Sequence, residues 1–519
     1  MTPRNADISA MYPSNHIGSA LARSVLLARS NRWHSAGASK PGVWVMRQLF
    51  GLICVCSLGV VSLLGCGQSA GDSAAGGAGG SGISFPCTEE GIRDAIASGD
   101  GPHAFECDGP TTVVTTAEIA IDTDVILDGD GALTVHGARD HRVFSVPEGV
   151  RAELRGVVAT GGVAHLGGGI WNAGSLTLMN SVVSGSSAAE GGGIHNVKAG
   201  TMTLLGTTVL ANDASLGAGI FNDGTLTVMH SIVTENTSEA GGGGIFNERE
   251  LTLIDTSVSD NTAGGSGGGI SNIPGGDGND GPGRLTLLKS IVSGNTAGFN
   301  GGGINSEGTA TLTGSTVSKN RGASGGGVYV RGDFTVVSGT VSGNVSESCG
   351  GGIDNDGTVS LANTTISGNT ADDCGGGIYN QTVLTVTSST FSANAAVRGG
   401  ALGSDVDEKG GATSLANTLI DGDCDSDVPL ISNGYNIESP GDTCGLDEAA
   451  GDMVGVTAEQ LDLGPLQDNG GFVQTHAITT DSAAFDVIPE SMCQLDEDER
   501  EVTRPQGDAC DVGAFELEM

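Results

Sequence analysis

A six-residue signature recurs through the middle of the chain: GGGIWN (167–172), GGGIHN (191–196), GAGIFN (217–222), GGGIFN (242–247), GGGISN (267–272), GGGINS (301–306), GGGVYV (325–330), GGGIDN (350–355) and GGGIYN (375–380). The spacing is 24 to 26 residues, apart from one interval of 34 that holds the loop PGGDGNDGPG. A second marker keeps the same period. Val209, Val233, Val258, Val292, Val317, Val341, Ile366 and Phe391 are each followed three residues later by an asparagine, from Asn212 and Asn236 to Asn369 and Asn394. A third places Thr177, Thr203, Thr227, Thr252, Thr286, Thr311, Thr335, Ser360 and Thr385 between two apolar residues. That alternation is a strand with one buried face. Three short strands per period, separated by Gly and Asn turns, predict an all-β chain: a right-handed parallel β-helix of about 10–12 coils, a rod on the order of 50 Å.

Composition fits this architecture and narrows the partners. The 89 glycines and only 19 aromatic residues cannot fill a broad globular core. In a solenoid, glycines permit positive φ and close approach of neighbouring turns, and stacked asparagines satisfy turn amides that no strand ladder reaches. The formal charge of −39 argues against nucleic acid as a partner, since such a surface repels phosphate backbones. Cations, glycans and surface proteins remain compatible with it.

The N-terminal segment reads as an export signal. Arg47 precedes an apolar run from Leu49 to Leu64, too short for a comfortable membrane span. Its end, Leu63-Leu64-Gly65-Cys66, resembles the bacterial lipobox, which implies lipidation of Cys66 and a membrane-anchored mature chain. The expected organisation is a non-native extension over 1–45 with translation starting at Met46, a lipoprotein signal over 46–65, a Gly/Ser-rich tether over 66–82, an N-terminal cap over 83–120, the β-helix over 121–420 and a C-terminal module over 421–519. Removal of the signal leaves 60 acidic against 16 basic residues.

Beyond the signal and Cys66, eight cysteines fall into four neighbouring pairs: Cys87 and Cys107, Cys349 and Cys374, Cys424 and Cys444, Cys493 and Cys510. An even set in an exported chain favours disulfides over zinc. Cys349 and Cys374 lie one 25-residue period apart, which predicts a staple between adjacent coils. After Cys87, Thr88 is a helix N-cap candidate, with Glu89 and Glu90 in the first turn and Ile92, Ala95 and Ile96 on one face.

The GGGI and Val-x-x-Asn pair, with Gly399–Leu402 (GGAL) and Phe391-x-x-Asn394, resembles the polymorphic outer membrane protein repeat over roughly 120–403. The tail segments LGPLQDNGGFVQTHAITTDSAAFD and RPQGDACDVGAFE are similar to the choice-of-anchor Q module. The resemblance implies a bacterial surface β-helix used for adhesion, display or binding, without an established catalytic set. With no barrel or sorting tail after Met519, Cys66 is expected to provide the anchor, in the outer membrane at the cell surface.

Candidate sites are few. The residue after each GGGI isoleucine forms a column containing Trp171, His195, Phe221, Phe246, Tyr329 and Tyr379. If the isoleucines point inward, these rings face out as a strip for sugar faces or a partner protein; with the opposite parity they form an internal ladder. Glu235 and Asp260 occupy equivalent turns of adjacent coils, about 5 Å apart by the coil spacing. That is the separation of a retaining glycosidase pair, and it supports the alternative function, a polysaccharide hydrolase or lyase. Calcium is the one cofactor the sequence raises: Asp277 and Asp280 in a single nonapeptide-like loop, or Asp421, Asp423 and Asp425 in DGDCDSD, each lacking the stacked copies or glycine that such sites use.

Overall fold

The computed structural model describes residues 83–275, 281–404, 411–427, 430–446 and 450–519. The signal, Cys66, the tether, Asp277 and Asp280 lie outside the described residues. The Leu-Thr-Leu segments form five-residue strands such as Ser175–Met179, Thr201–Leu205 and Thr225–Met229. Each pairs in parallel with its equivalent one coil on, Thr177 beside Thr203 and Thr203 beside Thr227. The flanking leucines are buried and the threonines sit half-exposed on the outer face.

The central, regular coils have four strands rather than three. A strand centred on the Val-x-x-Asn valine follows (Thr208–Leu210, Ile232–Thr234), then a short strand after the asparagine (Asp213–Leu216, Thr237–Gly241), then the GGGI strand (Ile220–Asn222, Ile245–Asn247). The unforeseen strand builds its own eight-stranded sheet. It is as short as Thr262–Ala263 and carries no extended apolar alternation. The GGGI strands form a 13-stranded parallel sheet from Ile119–Ala120 to Cys424–Ser426, so the right-handed solenoid has about 13 turns. Its first and last turns lack the GGGI signature, which accounts for the lower expected count.

Buried polar ladders hold the turns in register. Along the Val-x-x-Asn column each Nδ2 donates to the next Oδ1, from Asn212 to Asn394, at 2.9–3.0 Å. The same oxygen also accepts the backbone N–H of the preceding asparagine. A second ladder links Asn172, Asn196, Asn222, Asn247 and Asn272 at 2.8 Å per step. A third uses hydroxyls two residues before each Val-x-x-Asn valine: the backbone N–H groups of Thr207, Thr256 and Ser290 donate to Ser231, Ser290 and Ser315 Oγ. Each ladder supplies partners for amides that would otherwise be buried and unpaired. The glycines act as expected at the GGGI turn. Gly191 has φ +64°, and a Cβ on Gly193 would stand 2.6 Å from the Gly219 carbonyl oxygen.

The ends differ. At the start, the helix Glu89–Ser98 is capped by Thr88, whose Oγ1 accepts from Gly91 N, and it buries Ile92, Ala95 and Ile96 on the first coil. At the finish, strand pairing runs on to Ile437–Ser439, and the tail packs its own cluster of Val456, Leu461, Ile478, Ile488, Val512 and Phe515 against Leu419 and Ile437. The tail also lies along the Val-x-x-Asn face of the later coils. Thr340 Oγ1 donates to the Gln474 carbonyl, Asn363 Nδ2 to the Glu497 carbonyl, and Ala514 N to Thr390 Oγ1. All four expected disulfides are formed, and Cys349–Cys374 joins adjacent rungs with Cα atoms 4.6 Å apart.

Candidate functional site

The aromatic column has the outward parity, because Ile194 and Asn196, on either side of His195, are both fully buried. It is nevertheless not an open strip. His195, Phe221 and Phe246 are 5–6% exposed, whereas Trp171, Tyr329 and Tyr379 are half-buried. The correction comes from the fourth strand, which returns over the column: Glu190 Oε2 lies 3.9 Å from His195 Nδ1, and Gly241 sits against the Phe246 ring. The rings also use each other's faces. His195 stacks on Phe221 at 4.8 Å and 12°, and Phe221 on Phe246 at 5.2 Å and 16°. Burial pushes the His195 imidazole down to about 4. A sugar therefore has no access to these three ring faces.

Glu235 and Asp260 occupy exposed turns on adjacent coils, with φ +56° and +55°. The same turn position holds Gly185, Ala211, Gly294, Lys319, Gly343, Gly368 and Ala393, all at positive φ. The column thus has a conformational role that does not depend on a carboxylate. Asp421, Asp423 and Asp425 separate onto different elements: Asp421 accepts from Ser392 Oγ at 2.8 Å, Asp423 from Gly400 N at 3.0 Å, and Asp425 pairs with Gly403 in the GGGI sheet. Among the described residues one His/Cys/Asp/Glu group has ligand spacing, Cys349, Asp373 and Cys374, and its two sulfurs are already joined.

A groove of about 460 Å³ opens on the outer Leu-Thr-Leu face beside the N-terminal cap. It is lined by Asp100, Asp124, Arg151 and Glu153 together with Ser175 and Thr177. The register places them by alternation: Arg151 pairs with Ser175 and Glu153 with Thr177, so each pair faces out while Ala152 and Leu176 between them face the core. Asp124 Oδ1 accepts Arg151 N at 2.8 Å, and Glu153 is bridged to Arg155 at 2.6 Å. Leading away from the groove, the outer face continues as two columns, Ser175, Thr201, Thr225 and Thr177, Thr203, Thr227. Sequence reasoning named the threonines but not the charged residues. The signal was present, since Arg151-Ala-Glu153-Leu154 keeps the strand alternation with charges at the outward positions.

No family model and no curated protein matches this chain. Two solved structures are similar to it. One is the crystal structure of pectate lyase Pel9A, at 14% identity and TM-score 0.34, covering 82% of this chain and 90% of that one. The other is the A-module of the Azotobacter vinelandii mannuronan C-5 epimerase AlgE6, at 15% identity and TM-score 0.35, covering 68% and 94%. Likenesses this distant carry no argument about what this chain does.

Proposed function

We propose that this chain is an exported glycan-binding rod, anchored through lipid on Cys66, that presents its outer Leu-Thr-Leu face to a polysaccharide. The observation that carries the reading is the groove of about 460 Å³ at the head of that face. Carboxylates at Asp100, Asp124 and Glu153 accept from sugar hydroxyls, Arg151 donates, and the two hydroxyl columns extend the contact at two hydroxyls per coil. The same set of carboxylates keeps a polysaccharide-cleaving enzyme as the second reading, because paired carboxyls are the acid and base that glycosidic chemistry uses.

The test is a binding assay of the purified chain against a glycan panel, repeated with Thr227→Arg and Glu153→Gln. Thr227 points outward, so Thr227→Arg obstructs the face without touching the core. The expected outcome is saturable binding to at least one polysaccharide, reduced about 10-fold or more by Thr227→Arg, a change of about 1.4 kcal/mol. Binding that Thr227→Arg and Glu153→Gln both leave unchanged would exclude this face.

A further inference from the structure

A second cleft, of about 360 Å³, lies where the tail loop overhangs the Val-x-x-Asn face. The solenoid supplies Ile291, Thr316 and Ser318, and the loop supplies Asp468, Phe472 and Gln474. Phe472 is 54% exposed and Ile291 46%, so the fold leaves an aromatic and an aliphatic surface in water side by side. The neighbouring Val473 and Thr475 are buried and hold the loop down, which leaves the Phe472 ring about half in water.

In this strongly acidic chain, lysines occur near the cleft, which Asp468 also lines. The whole sequence carries −39 and contains five lysines, of which Lys198, Lys289 and Lys319 are described. Two of those three border the cleft. Lys289 Nζ stands 3.3 Å over the Phe472 ring centroid, within cation–π range, and Lys319 directly follows the lining residue Ser318 and is exposed. Asp468 holds the loop, its Oδ1 accepting Gly470 N at 3.0 Å. A ring with an apolar face, several hydroxyls and one carboxylate matches each of these features; a neutral sugar leaves the lysines unused.

We propose that this cleft is a binding site for an acidic sugar residue. Its apolar face rests on Ile291 and the open edge of Phe472, its hydroxyls meet Thr316, Ser318 and the Gln474 amide, and its carboxylate lies between Lys289 and Lys319, away from Asp468. The site is separate from the Leu-Thr-Leu groove and does not depend on the reading given for that face. Its volume lies toward the small end of the range for small-molecule sites.

The experiment is an NMR titration of the full chain with methyl glucuronoside and methyl glucoside, which differ only at C6. The expected result is saturable binding of the glucuronoside, at least about 10-fold tighter than the glucoside, because a hydrogen bond to a charged partner is stronger than one between neutral groups. Lys289→Gln and Phe472→Ala should each remove that preference, Lys289→Arg should retain it, and Thr227→Arg on the other face should leave it unchanged. Lys289 and Phe472 are exposed, so an unchanged melting curve separates lost binding from lost fold. Equal binding of the two sugars, binding of neither, or Lys289→Gln and Phe472→Ala proteins that bind like the parent would overturn the proposal.

Discussion

In the solenoid a buried asparagine such as Asn295 meets only neutral partners: it accepts from Asn261 and donates to Asn320 and to the Val258 carbonyl. In the tail, Arg504 is 2% exposed and lies 3.3 Å from Glu516, itself 1% exposed, while donating to the carbonyls of Asp511 and Gly513. Arg500 is held by Asp498 at 2.8 Å and stacks 3.7 Å over Phe515. The difference follows from repetition. Every coil offers the next one the same donor and acceptor in the same place, so amides suffice. The tail has no repeat, and its irregular backbone is fixed by guanidinium forks that each collect several carbonyls and a carboxylate.

Three substitutions test whether the two regions are held independently. The largest effect is expected from Arg504→Met, which strands Glu516 as a buried charge and costs about 3–5 kcal/mol. Hydrogen exchange should show the loss confined to residues 464–519, with the coils before 300 still protected; loss of protection along the whole solenoid would mean that the two regions share one network. Asn295→Leu comes next. It orphans the Asn261 backbone and side-chain N–H groups together, and should cost about 2–3 kcal/mol in denaturant unfolding of the solenoid. An unaffected midpoint would show that the ladder is dispensable.

The third, smaller effect is a pH dependence of tail docking. Glu499 is buried between the tail and the solenoid, where Thr365 Oγ1 donates to it at 2.5 Å and Thr340 Oγ1, whose proton goes to the Gln474 carbonyl, stands 3.3 Å away. Burial holds its pKa well above the usual 4.5. A raised carboxyl contributes its stability in full below 4.5 and loses it as pH rises through the folded value. His476, which accepts from Ser367 Oγ at 2.9 Å, runs the other way: burial lowers its pKa, so its contribution is present above 6.5 and lost as pH falls through the folded value. Glu499→Gln keeps a side chain able to meet both hydroxyls and should abolish the loss on the alkaline side, read as tail proteolysis against pH. An unchanged alkaline profile would remove Glu499 from the account.

How much of this was legible depended on repetition as well. The Leu-Thr-Leu strands, the GGGI sheet, the asparagine ladder and the Cys349–Cys374 staple each recur in the sequence, so alignment of the chain with itself placed them. The short fourth strand escaped, and with it the cover over His195, Phe221 and Phe246, because Thr262–Ala263 has no pattern to detect. The sequence left open whether those rings point out or in, and it could not say what returns above them. The groove at Asp124, Arg151 and Glu153 and the cleft at Phe472 are built where regularity stops, at the capped end and under the tail loop. There, contacts between segments far apart in sequence decide the geometry.

Under the proposed function, the outer face binds a glycan without turning it over. The most direct measurement incubates the purified chain with the polysaccharide it retains, following bound polymer together with new reducing ends and unsaturated products. The expected result is saturable binding that falls with Thr227→Arg and no product above the protein-free control. Product release that Glu153→Gln or Glu235→Gln abolishes would contradict it and make the chain an enzyme.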